Sequence, residues 1–555
     1  MNDSKEHFEV LVVGARCAGS PLATMLARQG LRVCLLDRSR FPSDTLSTHV
    51  IQPCGVAVLD RLGMLDTVLA AGAVPLTQFS LTADDARIEA SIDAHTFGAP
   101  GLSVRRVTLD HLLVQAATDA GADVRTGAGV TDLLWNDGRV AGVETKQGSL
   151  HAQLVIGADG RASTVARLVG SAEYNVAPPG RMFAWAYFDG VADAEGHLRL
   201  GALGEMTFVA SPTDAGLFLA AVCPPMADKD VFLGDREGGY MAAIDAWPEL
   251  AGLLAGANRR GPIRVMANWH GYFREAAGRG WALLGDAGNF KDPSPAQGIS
   301  DALRQAEHLA DVVATGLGES GDIDDELLHW WRWRDDDGYA MHWFATDMGA
   351  AGSPAPLATQ FTRDMAGDAE ATKALLGVLN HEVEPSQLFT PRRLGRAAIR
   401  AVRNRPDQIP AMAKEAAAEI RNEAVRFKRR HHPRLKRRSA TERMLLVIAV
   451  VGLVVPNVFF GLFLAKEGFD LGGYFSLWTG SLPSTQLLLD LAVAALAFFA
   501  WAAVEGRRAQ IRYWWICIPA TLLVGLCFGL PLFLLIRERA LARRGSRARP
   551  AERPG

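Results

Sequence analysis

The residues with the clearest chemical potential lie near the start of the chain, in the stretch FEVLVVGARCAGS at residues 8–20. Gly14 suits a tight turn after a buried strand, and Gly19 allows the following helix to pack closely. Arg16 stands where the second glycine of G-x-G-x-x-G belongs, and its guanidinium could turn onto a phosphate oxygen. The spacing predicts that Gly14, Ala15, Arg16 and Gly19 bind a dinucleotide pyrophosphate.

An acidic residue ends the next predicted strand, LRVCLLD. This residue, Asp37, comes about twenty residues after the loop, where a carboxylate accepts a hydrogen bond from a ribose 2′-hydroxyl. It would repel a 2′-phosphate, which disfavours the adenosine of NADP in this pocket. Arg38 follows it and is a further cofactor-binding candidate. Taken alone, the loop also fits an ordinary tight turn between a strand and a helix.

Two later segments change this balance. GARCAGSPLATMLARQGLRVCLLDR is followed by VIGADGRASTVAR and then by GDAGNFKDPSPAQGISDAL. Their order and spacing resemble those of FAD-dependent monooxygenases of the aromatic-hydroxylase type, a group that also contains flavin halogenases and geranylgeranyl reductases. The resemblance covers roughly residues 5 to 320. It implies FAD as the cofactor and an α/β fold, in which a Rossmann-like FAD-binding domain is interleaved with a β-sheet substrate domain.

The resemblance also assigns roles to single residues. It places Asp159 near the FAD pyrophosphate and links it to NAD(P)H use, and it implies that Gly285 and Asp286 hold the ribose and ribityl region. The arginine that usually touches the cofactor precedes R-x-x-L, which here is Arg106, with Arg105 as the alternative.

The third motif departs from the family pattern P-x-G-G-Q-G-x-N. It reads Pro293-Ser-Pro-Ala-Gln-Gly-Ile-Ser, so that proline, alanine and serine replace the two glycines and the asparagine. The loop still runs through Gly298 and Ile299 into a helix, whose free N–H groups would face the pyrimidine end of the flavin and favour negative charge there. We therefore expect Pro293, Gly298 and Ile299 to contact FAD, beside a cavity of altered shape.

The sequence offers one candidate for a catalytic histidine. His49, in DTLSTHVIQP, is the best polar candidate to face the active site, where it would move a proton or bind substrate. A structural histidine in a loop is the alternative. The aromatic run HWWRWRDDDGYAMHWF at residues 329–344 could line a hydrophobic pocket, but helix packing is favoured.

Composition bounds the remaining possibilities. The net charge of -3 argues against a nucleic-acid partner, and six cysteines without a C-x-x-C pair argue against a disulfide framework or a metal site. No signal region precedes the first strand, so we expect the catalytic part to face the cytoplasm.

The last hundred residues indicate a membrane protein. Three apolar runs, at residues 444–465, 487–504 and 513–536, have about the length that spans a bilayer. They resemble a small three-helix membrane domain of unknown function. A basic block at residues 421–443 precedes them and favours a location at the inner, anionic face of the cell membrane. With three spans the arginine-rich C-terminus would lie outside, unless one segment is re-entrant.

The expected domain boundaries follow from these segments. Residues 1–175 and 276–325 form the FAD-binding domain, and residues 176–275, with a contribution near residues 75–100, form the β-rich substrate domain. Residues 326–440 form a helical connector, and residues 441–540 form three transmembrane helices.

The chain is therefore expected to be a membrane-anchored FAD-dependent oxidoreductase. NAD(P)H-dependent hydroxylation of a hydrophobic small molecule, through a flavin C4a-hydroperoxide, is the first reading. No second strand–G-x-G-x-x-G–helix unit occurs, so NAD(P)H would bind transiently. Reduction of an isoprenoid or quinone lipid is the rival, and electron donation or redox sensing for a membrane partner is a third possibility.

Overall fold

The computed structural model describes residues 6–429, apart from 46, 48, 93, 193–195 and 319–321, and residues 440–545, apart from 469, 509, 510 and 512. The chain divides into two compact units, Met1–Arg430 and His431–Gly555. Part of the basic block, residues 430–439, lies outside the described residues.

The strands all belong to the first unit. They are β1 (Glu6–Val13), β2 (Val33–Asp37), β3 (Val50–Ile51), β4 (Val74–Leu76), β5 (Gln78–Ala83), β6 (Ala86–Ser91), β7 (Gly101–Ser103), β8 (Asp123–Thr126), β9 (Val130–Asn136), β10 (Arg139–Thr145) and β11 (Gly148–Gly157). The later strands are β12 (Glu173–Ala177), β13 (Phe183–Asp189), β14 (His197–Leu203), β15 (Met206–Thr213), β16 (Leu217–Cys223), β17 (Asn258–Met266), β18 (Gly271–Arg274), β19 (Ala277–Gly278), β20 (Trp281–Leu283) and β21 (Asn289–Phe290).

The helices of the first unit alternate with the strands early in the chain and then continue alone. They are α1 (Gly19–Arg28), α2 (Pro53–Arg61), α3 (Leu65–Ala70), α4 (Ala94–Phe97), α5 (Arg106–Asp119), α6 (Thr164–Leu168), α7 (Lys229–Gly234), α8 (Arg236–Asp245), α9 (Pro248–Leu253), α10 (Gly298–Gly316), α11 (Ile323–Met348), α12 (Pro356–Ala366), α13 (Ala369–Leu379), α14 (Pro385–Leu388), α15 (Pro391–Asn404) and α16 (Ile409–Arg429). The second unit contains α17 (Ala440–Glu467), α18 (Leu471–Thr479), α19 (Leu482–Arg508), α20 (Cys517–Leu523) and α21 (Leu526–Gly545).

The sheet that carries the first motif has the order β19-β20-β11-β1-β2-β8, with β10 and β9 added beside β11. The pairs of β1 with β11 and β2, of β2 with β8, and of β11 with β20 are parallel. Val10–Val13 in β1 and all of β2 are buried, as strands covered on both faces require. The loops after β1, β2, β11 and β20 therefore leave the same edge, which confirms the predicted α/β class.

A second, seven-stranded sheet has the order β17-β13-β16-β15-β14-β5-β6. Residues 78–91 supply β5 and β6, so an early part of the chain joins a sheet built mostly from later strands. Helices α7, α8 and α9 lie between β16 and β17, within the region that the sequence indicated as β-rich. Tyr240 on α8 and Trp247, just before α9, pack with Phe208 and Phe218 of the sheet, so the insertion covers one sheet face.

A buried arginine joins the helical connector to the loop of the third motif. Arg334 on α11 is 1% exposed, and its guanidinium donates to the carbonyl oxygens of Gly288 at 2.8 Å and Arg274 at 3.0 Å. It also bonds Tyr174 and forms an ion pair with Asp335. Because each donor has a partner, the buried charge fixes α11 against this loop.

The second unit contains two helical stretches that are long and apolar enough to cross a membrane, Met444–Phe463 and Leu482–Arg508. The third predicted span differs from the expected single helix. It consists of α20 and α21, which are separated at Gly525, where φ is +126°. Glycine adopts this positive φ readily. A residue with this φ interrupts a right-handed helix, so α20 and α21 are separate helices.

We predict that Arg334→Ala lowers the free energy of unfolding by about 3–5 kcal/mol, because Asp335 and two carbonyl oxygens lose a buried partner. The measurement is urea-induced unfolding of the purified chain followed by tryptophan fluorescence. Arg332→Ala is the control, since Arg332 lies on the same helix and has no ion pair among the described residues; its effect should stay within about 0.5 kcal/mol. Equal effects of the two variants would contradict the role of Arg334.

Candidate FAD site

One cavity of about 700 Å³ lies between the carboxyl edge of the parallel sheet and the seven-stranded sheet. Parallel α/β sheets bind ligands at this edge. Twelve of the residues predicted from the sequence line it: Gly14, Arg16, Asp37, Arg38, His49, Arg106, Asp159, Gly285, Asp286, Pro293, Gly298 and Ile299. Ala15 and Gly19 do not line it, and no residue of the aromatic run at 329–344 does.

The first loop is held by contacts that exclude side chains. A Cβ at Gly14, where φ is +108°, would lie 2.4 Å from the carbonyl oxygen of Ala158. A Cβ at Gly19 would lie 1.9 Å from the carbonyl oxygen of Gly14, so Gly19 supports the loop from behind. The N–H of Ala15 donates to Asp37 Oδ2 at 2.8 Å. Ala15 therefore binds Asp37 through its backbone, whereas the sequence suggested a phosphate contact.

The arginine in this loop is bound by a carboxylate that sequence reasoning missed. Arg16 Nη1 donates to Asp110 Oδ2 at 2.9 Å, and Arg106 bonds the other oxygen of Asp110 at 2.9 Å. Asp110 is fully buried. Residues four apart on a helix are neighbours, so the spacing of Arg106 and Asp110 could have indicated this ion pair from the sequence. One carboxylate thus holds both arginines at the cavity wall.

Arg105, the alternative to Arg106, has a different role. Its backbone N–H donates to Asp214 Oδ1 at 2.8 Å, and its guanidinium pairs with Asp214 Oδ2 at 3.0 Å. Thr108 donates to the same carboxylate at 2.6 Å. These bonds join the start of α5 to the turn between β15 and β16, and Arg105 does not line the cavity.

The two acidic residues of the later motifs differ in their partners. Asp159 accepts bonds from Ser163 Oγ at 2.5 Å and from the N–H of Thr164 at 2.6 Å, so it caps α6. The Asp286 carboxylate accepts no hydrogen bond from any described residue. Burial raises the pKa of Asp286 to about 6, although Arg161 and Arg106 oppose this shift. Its oxygens are therefore free for hydroxyl donors.

The third loop adopts a glycine-like backbone conformation at one position where the family has a glycine. Ala296 has φ of +53°, the left-handed conformation that glycine adopts most readily. Gln297 Nε2 holds the loop by donating to the carbonyl oxygens of Val378 at 3.0 Å and Leu379 at 2.9 Å. Gly298 then begins α10, so the free N–H groups of its first turn adjoin the cavity.

The opposite wall is apolar. Side chains two residues apart on a strand point to the same face of the sheet. Residues 183 and 185 on β13 therefore share one face with residues on the neighbouring strands. This wall consists of Phe183, Trp185, Val209, Leu219, Ala221, Met266, Trp269 and Phe290.

His49 is the main polar group beside this wall. Its Nε2 forms a hydrogen bond with the hydroxyl of Tyr187, and its Nδ1 has no partner among the described residues. Burial lowers the pKa of His49 to about 4 and raises the pKa of Tyr187 to about 12. Both groups are therefore uncharged at neutral pH. Tyr187 was not among the predicted site residues.

The cavity fits FAD in three respects. The first loop excludes any Cβ at Gly14, so that the backbone itself forms the wall. Two helices, α1 and α10, begin at this edge, and helix N-termini favour phosphate and other negative charge. The unpartnered carboxylate of Asp286 matches the hydroxyl groups of a ribose or ribityl chain.

We predict that FAD binding weakens below about pH 6 because protonation of Asp286 removes an acceptor for the FAD hydroxyls. Asp286→Asn should raise the Kd for FAD at neutral pH by about 10- to 100-fold, which corresponds to the loss of hydrogen bonds to a charged group. The Kd of this variant should also depend less on pH than that of the wild type. The measurement is the quenching of FAD fluorescence by apoprotein from about pH 5 to pH 8.

Burial also raises the pKa of the neighbouring Asp292 to about 6, so the difference between variant and wild type is the informative quantity. Asp119→Asn, at an exposed position on α5, is the control. An unchanged pH profile in Asp286→Asn would contradict the role of Asp286.

Two curated relatives of different activity align with the chain. Menaquinone reductase of Mycolicibacterium smegmatis is 28% identical over 345 residues, which cover 56% of this chain and 76% of the relative. The 6-methylpretetramide 4-monooxygenase of Streptomyces rimosus is 28% identical over 323 residues, with the same two coverages, 56% and 76%.

A solved structure and two family matches complete the comparison. A flavoprotein/dehydrogenase from Cytophaga hutchinsonii superposes with a TM-score of 0.62 at 18% identity, over 71% of this chain and 98% of the other, which supports the fold. Residues 444–539 match a family described as a protein of unknown function, DUF2834. Residues 7–329 match the family described as FAD binding domain. Since this match spans more than half of the chain, the protein belongs to the FAD-binding domain family and is an FAD-dependent oxidoreductase.

Proposed function

We propose that this protein is a membrane-anchored monooxygenase that uses NAD(P)H and hydroxylates a hydrophobic small molecule. The observation that carries the proposal is the apolar wall, whose aromatic and aliphatic side chains face the FAD loops across one cavity. A wall of this kind binds an apolar substrate and excludes water.

The chain's own residues supply binding and positioning. FAD, when bound, supplies the reduced flavin that activates dioxygen. The loops at Gly14 and Asp286 hold the cofactor, and Trp185 and Trp269 contact the substrate. The neutral imidazole of His49, oriented by Tyr187, offers Nδ1 to a polar group of the substrate.

NAD(P)H is the proposed reductant. The sequence has no second dinucleotide-binding unit of the strand–G-x-G-x-x-G–helix type, so the reductant would bind at the cavity mouth and leave. Arg161 and His270 line the cavity and offer a cation and a ring nitrogen for a phosphate or carboxamide.

Reduction of an isoprenoid or quinone lipid is the second candidate. Two observations favour it: the apolar helices of the second unit, and the similarity to a menaquinone reductase. A substrate that dissolves in the bilayer would suit an enzyme anchored there.

The two candidates are separated by the reoxidation of the enzyme in stopped flow. The detergent-purified full-length protein is photoreduced and mixed either with dissolved oxygen or with menadione, a soluble naphthoquinone. The monooxygenase proposal predicts that oxygen produces a transient absorbance that belongs to neither reduced nor oxidised flavin, while menadione reacts slowly. Fast oxidation by menadione, with a slow reaction with oxygen and no transient, would assign the protein to the reductases.

Two variants test whether the apolar wall protects the transient species in this experiment. Trp185→Ala admits water and should shorten the life of the transient, because such species persist only where water is excluded. Trp135→Ala is the matched control, since Trp135 on β9 is 51% exposed and does not line the cavity. Free FAD, reduced in the same buffer, gives the reference without protein.

We predict that the full-length chain stays with the membrane pellet after washes with high salt and alkaline carbonate. Apolar helices of this length are held by the hydrocarbon core and not by charge, so neither wash releases them. The measurement is immunoblotting of pellet and supernatant, with a peripheral membrane protein as the control that is released. Recovery of the chain in the supernatant would overturn the anchoring proposal without bearing on the reaction.

A further inference from the structure

Three ionisable side chains meet at the wall of the FAD cavity, two of them lining it. Lys291 Nζ lies 2.6 Å from Asp301 Oδ2, and His381 Nε2 lies 2.8 Å from Asp301 Oδ1. Lys291 Nζ and His381 Nε2 are 3.3 Å apart. All three side chains are buried, with exposures of 6%, 12% and 4% for Lys291, Asp301 and His381. We call this group the Lys–Asp–His cluster.

The cluster adjoins the part of the cavity that the third motif forms. Lys291 and Asp301 both line the cavity, on either side of Pro293 and Gly298 in the sequence. Asp301 also lies in the first turn of α10, whose N-terminus favours negative charge in the cavity. A cofactor bound in this cavity would therefore have this cluster as a neighbour.

His381 comes from the helical connector and contacts the cavity-lining residues Lys291 and Asp301 from behind. It follows α13 with φ of +59°. The preceding residues are bound to the third loop through Gln297, and Asn380 Oδ1 accepts the N–H of Cys54 at 2.6 Å. The backbone that leads into His381 is therefore fixed by these bonds, and its imidazole is held by Lys291 and Asp301.

The charges around the imidazole are nearly balanced. Lys291 is cationic and Asp301 anionic, and the nearby Arg304 is paired with Asp337 at 2.8 Å. Burial lowers the pKa of His381, against the opposing effect of Asp301. Burial acts to raise the pKa of Asp301, but Lys291 and His381 together hold it below its usual range. Burial raises the pKa of the Cys54 thiol to about 11, so Cys54 is neutral.

These pKa directions fix the starting state. Asp301 is ionised and His381 is neutral before the flavin is reduced. Lys291 Nζ can only donate, so Nε2 of the neutral imidazole accepts its hydrogen bond at 3.3 Å. Asp301 Oδ1 lies 2.8 Å from Nε2 and has no hydrogen-bond donor among the described residues. Nε2 is therefore the nitrogen that remains to be protonated, and the imidazolium would donate from it to Asp301.

We propose that the Lys–Asp–His cluster balances the charge of the reduced cofactor, and that His381 binds one proton when FAD is reduced. Two electrons and one proton pass to the flavin from the external reductant, which leaves one negative charge, and a second proton, from solvent, binds Nε2 of His381. No covalent bond forms in the cluster. The cation so formed is held by Asp301 and compensates the negative charge on the flavin. The inference requires FAD binding only and holds for either reaction considered above.

The test is the midpoint potential of bound FAD in the purified holoenzyme between about pH 6 and pH 8. Xanthine oxidase with xanthine supplies electrons slowly, and a redox dye reports the potential. Each proton bound per two electrons changes the potential by about 30 mV per pH unit. Wild type should therefore show a slope of about 60 mV per pH unit, one proton on the flavin and one on His381, and His381→Asn a slope of about 30 mV.

His381→Asn is the variant of choice because asparagine tolerates a positive φ. Asp301→Asn is the second variant, and it should also lower the slope, because the imidazolium loses its anion. His308→Asn is the control, since His308 stacks on Trp333 outside the cavity. Retained FAD absorbance establishes that each variant is folded. An unchanged slope in His381→Asn and Asp301→Asn would overturn the proposal.

Discussion

The close approach of Gly14 to the carbonyl oxygen of Ala158 is the contact on which the cavity depends. Because β1 and β11 are adjacent and parallel, the loops that follow them leave the sheet side by side. A side chain at Gly14 would collide with this oxygen, whereas glycine lets the first loop turn across the end of β11. The first loop and the turn at Asp159 consequently face one space. The remaining walls are built around it by the other strand ends and by the second sheet.

Shared carboxylates hold the charged groups that surround this space. Asp110 binds Arg16 and Arg106 at once, and outside the cavity wall Asp214 binds both the backbone and the guanidinium of Arg105. A buried arginine without an acceptor would cost several kcal/mol, about 3–5 when one partner of a pair is removed. Each carboxylate satisfies several donors, so the arginines stay in fixed positions. The result is a cavity whose cations are oriented by the protein before any ligand binds.

The sequence predicted those parts of the site that depend on local chain geometry. The turn at Gly14, the position of Asp37 at the end of β2 and the start of α10 follow from residue spacing within a strand, a turn and a helix. Partners that come from distant segments had no such signal: His381 lies 90 residues after Lys291. Which of Arg105 and Arg106 lines the cavity also depends on the turn at Asp214, which belongs to the other sheet. The break at Gly525 was hidden because hydropathy does not register the backbone conformation of one residue inside an apolar run.

The bonds between Gln297 and the end of α13 limit which segments of this protein could be exchanged with those of a relative. The segment that matches the FAD-binding family ends at residue 329, but its third loop is completed by backbone carbonyls at residues 378 and 379. The family segment is therefore not a self-contained module. A chimera that exchanges only residues 7–329 for a relative's would inherit a flavin loop without its supporting carbonyls. The sequences of the connector and of the family segment are therefore expected to change together during evolution.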